Sequence, residues 1–148
     1  MARDRDSGGR PRNARPRDGL GRLLPRDAPG VEPIADDLQL DAGQTLRYAQ
    51  DLLDRACPFQ AHEVLEARWK SGPTAEREYW QGLAQAAVAL THLRRGNLVG
   101  ARSLAQRAQA HLGTTDPVPG GADSHDVCRQ LDAIAQGRDT GLLIVSGA

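Results

Sequence analysis

The chain has 148 residues, 39% of them apolar, and a formal net charge of zero, which leaves room for one domain with a modest core. No run approaches the roughly 18 to 20 apolar residues that a membrane span needs, and the opening Met1 to Asp6 lacks the apolar stretch of a secretory signal. A cytoplasmic protein with no membrane partner is expected. Cys57 and Cys128 stand far apart with no metal-knuckle spacing around either, which argues against a disulfide framework and a cysteine-rich zinc site.

Charge is spread unevenly along the chain. Residues 1–30 hold eight Arg against four Asp, while the remainder carries eleven basic and fifteen acidic residues. A basic arm can bind phosphate backbones. Eighteen Arg to a single Lys, Lys70, is however what Arg-favouring codon choice gives, so nucleic acid is not an expected partner. From Met1 to Pro33 the residues are mostly Gly, Pro, Arg and Asp, too poor in apolar side chains to offset the entropy of ordering them. The expected organisation is a disordered leader over 1–33, a helical bundle over 34–137 and a C-terminal tail over 138–148.

Asp41 is an N-cap for a first helix with Leu46, Ala49, Leu52, Leu53 and Ala56 at helical spacing, up to Cys57. Pro58 suits the first turn of a second helix, Phe59 to Lys70, which the Ser71-Gly72-Pro73 breaker ends. Thr74 can cap a third and longest helix through Trp80, Leu83, Ala87 and Leu90 to Arg94-Arg95, stopped by Gly96. Asn97 caps a fourth, with Ala101, Leu104, Ala105, Ala108 and Leu112 as its stripe and Gly113 as its stop. After a Pro/Gly loop, Ser124 caps a short fifth helix that ends at Gly137. The apolar run Leu142 to Val145 is expected to pack back on the bundle, with a short strand as the other option. The fold class is therefore all-α, a compact bundle of four to five helices.

Chemistry concentrates on the second and third helices. His62 and Glu66 are i and i+4, one above the other between Leu65 and Trp69 on one side and Phe59 on the other, with Glu63 at the edge. On the third helix Glu78, Gln81, Gln85 and His92 share an arc of roughly 60°. Buried polar groups need partners, so the two stripes are expected to face each other across a polar pocket of His62, Glu63, Glu66, Trp69, Gln81, Gln85 and His92. The bland reading makes the third-helix stripe a solvated face and His62–Glu66 a local pair. His62-Glu63-Val64-Leu65-Glu66 lacks the second His of the zinc-protease motif. Even so, His62, Glu66 and His92 would form the two-His, one-carboxylate set used by divalent zinc or iron.

Three blocks carry a resemblance: Phe59-Gln60-Ala61-His62-Glu63-Val64-Leu65-Glu66 with Trp69; Tyr79-Trp80-Gln81-Gly82-Leu83-Ala84-Gln85 through Leu90 with His92; and Arg95-Gly96-Asn97 with Gly100-Ala101. Together, over about Leu40 to Leu112, they resemble the family called domain of unknown function 309. The resemblance implies a helical bundle of the bacterial or archaeal cytoplasm with no established activity. It places the family's polar signature on His62, Glu63, Glu66, Trp69, Gln81, Gln85, His92 and Asn97. Ala84 and Thr91 depart from the pattern, where the family tends to have a larger apolar and an aromatic residue. Two functional classes stay open: a binding or interaction module for a small molecule or protein, and a metal-dependent hydrolase with His62, Glu66 and His92 as ligands and Glu63 as general base.

Overall fold

The computed structural model describes residues 15–146. Asp41 opens α1 (Ala42–Asp54) with a capping box: its carboxylate accepts the Gln44 N–H at 2.7 Å, and the Gln44 side chain accepts the Asp41 N–H at 3.0 Å. The Pro-initiated α2 (Pro58–Ser71) follows, then a single 3-10 turn over Thr74–Glu76. That turn, and not a Thr74 side-chain cap, leads into α3 (Arg77–Arg94). Asn97 caps α4 (Leu98–Leu112) by accepting the Gly100 N–H at 2.9 Å. α5 (Ser124–Ala135) is capped by Asp123, one residue before the Ser124 expected from the sequence. Among the described residues these five helices are joined by two isolated β-bridges and no strand, and no helix is long and apolar enough to cross a membrane.

α3 is the central helix, packed between α2 and α4, with α5 against α4. A Cβ at Gly82 would come within 2.7 Å of Leu112, and one at Gly100 within 3.0 Å of His92. The start of α3 therefore meets the end of α4 and its end meets the start of α4, an antiparallel pair at backbone contact distance. Tyr79, Trp80, Leu83, Leu90 and Ile134 are wholly buried in the core between these helices. Trp80 Nε1 donates to Glu76 Oε1 at 2.9 Å, which in turn accepts from Arg68 Nη2 at 3.2 Å, and the Arg68 guanidinium lies 5.7 Å from the Trp80 ring. Trp69 is only half-buried, at the edge of the core.

Three helices end in the same hydrogen-bond pattern, in which the residue after the C-cap takes the left-handed conformation. Gly96 and Gly137 fill that place after α3 and α5, at φ of 80° and 81°. After α1 the place is held by Ala56, at φ 62°, while Ala56 N–H donates to Leu53 O and Cys57 N–H to Leu52 O. A Cβ in that region costs about 1 kcal/mol. Ala56→Gly is therefore expected to raise the unfolding free energy by roughly that amount, read as a higher urea midpoint at unchanged slope.

The C-terminal run docks as expected. Leu142 and Ile144 are buried, and Gly121 and Val145 form a β-bridge. Two glutamines dock it: Gln50, a buried polar residue on α1 whose Nε2 donates to Leu142 O at 3.1 Å and whose Oε1 accepts the Ile144 N–H at 2.8 Å, and the more exposed Gln130 of α5, whose Nε2 donates to Leu143 O at 2.9 Å and whose Oε1 accepts the Leu143 N–H at 2.6 Å.

The expected leader needs correcting over its second half. Residues 1–14 lie outside the described residues, but from Arg15 the chain forms a strap against α2. Asp18 ties a turn by accepting the Leu20 and Arg22 N–H groups, Arg17 and Leu23 form a β-bridge, and Val31 N–H donates to Arg17 O at 2.9 Å. The entropy argument against order fails here because the strap borrows an existing surface: Phe59 N–H donates to Gly19 O, Gln60 Nε2 donates to Asp18 O, and Ile34 is 8% exposed in the core.

Candidate functional site

The one-turn spacing of 62, 63 and 66 brings His62, Glu63 and Glu66 to the rim of one cleft of about 220 Å³, as the sequence implies. The opposite wall is not α3. It is the end of the strap, Ile34 to Asp36, with Ala67 and Lys70 completing the lining. The expected pocket between the second and third helices is therefore corrected: none of Gln81, Gln85 and His92 borders this cleft.

Within it, His62 Nδ1 lies 2.6 Å from Phe59 O, so this nitrogen carries the proton and donates, leaving Nε2 toward Glu66 Oε2 at 3.5 Å. Glu66 is shared, its other oxygen pairing with Lys70 Nζ at 2.6 Å. Burial pushes the Glu63 carboxyl up from its ordinary value; Glu66 and Asp36 add to the rise and His62 and Arg17 oppose it. The folded chain thus holds a proton on Glu63 at a pH where the unfolded chain has released it, and stability falls as pH rises through that window. Relative to Glu63→Gln, which cannot titrate, the wild-type melting temperature is expected to fall as pH is raised above 4.5, the ordinary Glu value, and then to level off. A difference that stays constant across this range would contradict the burial of Glu63.

The residues of α3 have other duties. Glu78 Oε2 meets His111 Nδ1 of α4 at 2.7 Å. His92 sits at the α3–α4 junction, with Nδ1 3.2 Å from Asn97 Nδ2 and its carbonyl accepting the Asn97 N–H at 2.8 Å. Asn97 owes its place in the signature to capping α4. Gln81 and Gln85 are half-buried, and Gln85 Oε1 is a buried acceptor with no partner among the described residues. Among the described residues no three His, Cys, Asp or Glu side chains stand close enough to hold one metal ion. The expected set of His62, Glu66 and His92 is therefore divided between two parts of the molecule, and a divalent metal does not fit it. Nor is there an activated thiol: Cys57 is buried, and burial beside Asp132 pushes the Cys128 thiol up.

Sequence reasoning missed Asp36, Ile34 and the strap as a whole. The available signal was Asp18-Gly19, a turn dipeptide followed by Gly21, inside a segment whose composition reads as tail.

The model of a family described as a domain of unknown function (DUF309) matches residues 46–104. The family inferred from the three sequence blocks is the one found, over a stretch shorter at both ends than Leu40 to Leu112. It contains α2 and α3 whole, most of α1 and the first half of α4; the strap and α5 lie outside it. An uncharacterized protein, YpuF of Bacillus subtilis (strain 168), is 51% identical over 47 residues, covering 31% of this chain and 27% of YpuF. The chain thus spans about a quarter of the length of that relative. No solved structure matches the chain.

Proposed function

We propose that this chain, whose segment 46–104 matches the DUF309 family, is a binding module of the cytoplasm. Its site is the cleft between the His62, Glu63 and Glu66 edge of α2 and the Ile34 to Asp36 segment. The observation that carries the reading is the convergence of three polar side chains of α2, all within the matched segment, on one cleft. Its volume, about 220 Å³, lies below the roughly 300 to 1,000 Å³ of pockets for drug-sized molecules. It suits a very small molecule or one side chain of a partner protein. Glu63 and Glu66 offer acceptors, so the ligand brings hydrogen-bond donors. Hydrolysis has no comparable support, because the residues that would hold a metal do not gather.

A guanidinium probe tests this directly. Arginine amide titrated into the full chain is expected to shift the backbone amide signals of residues 62–67 saturably, and to leave them unmoved in a Glu63→Gln, Glu66→Gln double variant that keeps its helical content. Shifts that persist in the variant, or their absence in the wild type, would contradict the cleft as a binding site.

A further inference from the structure

The strap is bound to α2 in the manner of a peptide ligand. Cys57, the N-cap of α2, provides no side-chain cap, and Pro58 has no N–H, so the first free donor of the helix is Phe59 N–H. It donates to Gly19 O at 3.1 Å. At the preceding residue of the strap, Asp18 O accepts from Gln60 Nε2 at 2.9 Å. The Arg17 guanidinium lies over the Phe59 ring at 5.6 Å. Gly21, at φ +77°, is pressed so closely on that ring that a Cβ would come within 2.2 Å of it, and a Cβ on Gly19 would come within 2.3 Å of Ala56 O.

Recognition therefore uses two main-chain carbonyls, one guanidinium and two positions where only glycine fits. The fit is also incomplete. Gln60 is 3% exposed, yet its Oε1 has no hydrogen-bond partner among the described residues, and a cavity of about 480 Å³ remains within the strap, against Gln60 and Glu63 of α2. A buried acceptor left unpaired costs about 1 to 3 kcal/mol, so this docking is weaker than core packing and is open to exchange.

We infer that the Phe59–Gln60 face at the start of α2 is a peptide-recognition surface. Arg17 to Gly21 occupies it as an internal ligand, and it accepts in trans a tight-turn segment with an arginine followed at the second and fourth positions by glycine. The strap competes with such a partner and sets the threshold for binding. This inference does not rest on the cleft reading, because its contacts are made by Phe59 and Gln60 and not by His62 or Glu66.

The test uses the full chain and a fluorescent peptide of residues 15–36. Wild-type protein, its surface filled internally, is expected to bind the peptide at least tenfold more weakly than the Gly21→Val variant, whose own strap cannot dock. Arg17→Ala is expected to fall between the two, and a peptide carrying Gly21→Val is expected not to bind. Equal binding by wild type and Gly21→Val, or no binding by either, would overturn the proposal. So would loss of helical circular dichroism in Gly21→Val, because docking would then be part of the fold and not an exchangeable contact.

Discussion

Trp80→Ala is expected to lower the unfolding free energy by about 3 to 5 kcal/mol, the range for deleting a buried indole. The ring is fully buried against Tyr79, which meets it edge-on at a centroid distance of 5.9 Å. Its loss would leave a void in the centre of the bundle. It would also take away the Nε1–H that Glu76 accepts and the surface on which Arg68 lies. Because Arg68 Nη1 also donates to Leu40 O just before α1, the damage would reach the α1–α2 contact. Trp69→Ala, at a half-buried site, is expected to cost roughly 1 to 2 kcal/mol. Urea denaturation of the two variants in parallel checks both values. Equal losses would place the two rings in equivalent surroundings and contradict the packing described.

Gln50→Ala ranks second, at on the order of 3 kcal/mol. The Gln50 amide satisfies a donor and an acceptor of the C-terminal run at once, and both lie in the interior. Removing it would leave the Ile144 N–H and the Leu142 carbonyl without those bonds, an expensive state for buried groups. The chain is expected to respond by releasing the run from Leu142 to Val145. Hydrogen exchange should then show the Ile144 amide losing protection while α3 amides keep theirs. Wild-type protection at Ile144 in this variant would mean that apolar packing and the remaining bonds of the run, those of Gln130 to Leu143 and of Ala122 N–H to Ile144 O, hold the tail without Gln50.

The helices were legible because each is written locally. Asp41 with Gln44, Pro58, Asn97, Gly96 and Gly137 are start and stop signals that act within a turn or two, and the structure uses every one. α1 was extended too far because its stop is Ala56, a residue that carries no turn signature yet takes the left-handed conformation. What a helical wheel cannot supply is which neighbour covers a given face. His62, Glu63 and Glu66 do line one cleft. The need of buried polar groups for partners points from that edge to the polar stripe of α3. The cover is the strap, whose composition promises no order by itself. It becomes ordered through Gly19 and Gly21, where the absence of a side chain permits contact with Ala56 and Phe59 that no hydrophobicity pattern encodes. Spacing likewise puts His92 in the pocket and Glu78 on the same arc, while Asn97, the cap of α4, and His111 within α4 are their actual partners.

That the segment before α1 covers the start of α2 is tested most directly by proton NMR on the full chain. Nuclear Overhauser cross-peaks are expected between the Gly21 α-protons and the Phe59 ring, where the backbone approaches closely enough to exclude a Cβ, together with upfield-shifted Gly21 resonances from the ring current. Phe59 ring protons that show cross-peaks to Gln81, Gln85 or His92, and none to residues 17–21, would contradict the arrangement and return the polar edge of α2 to α3.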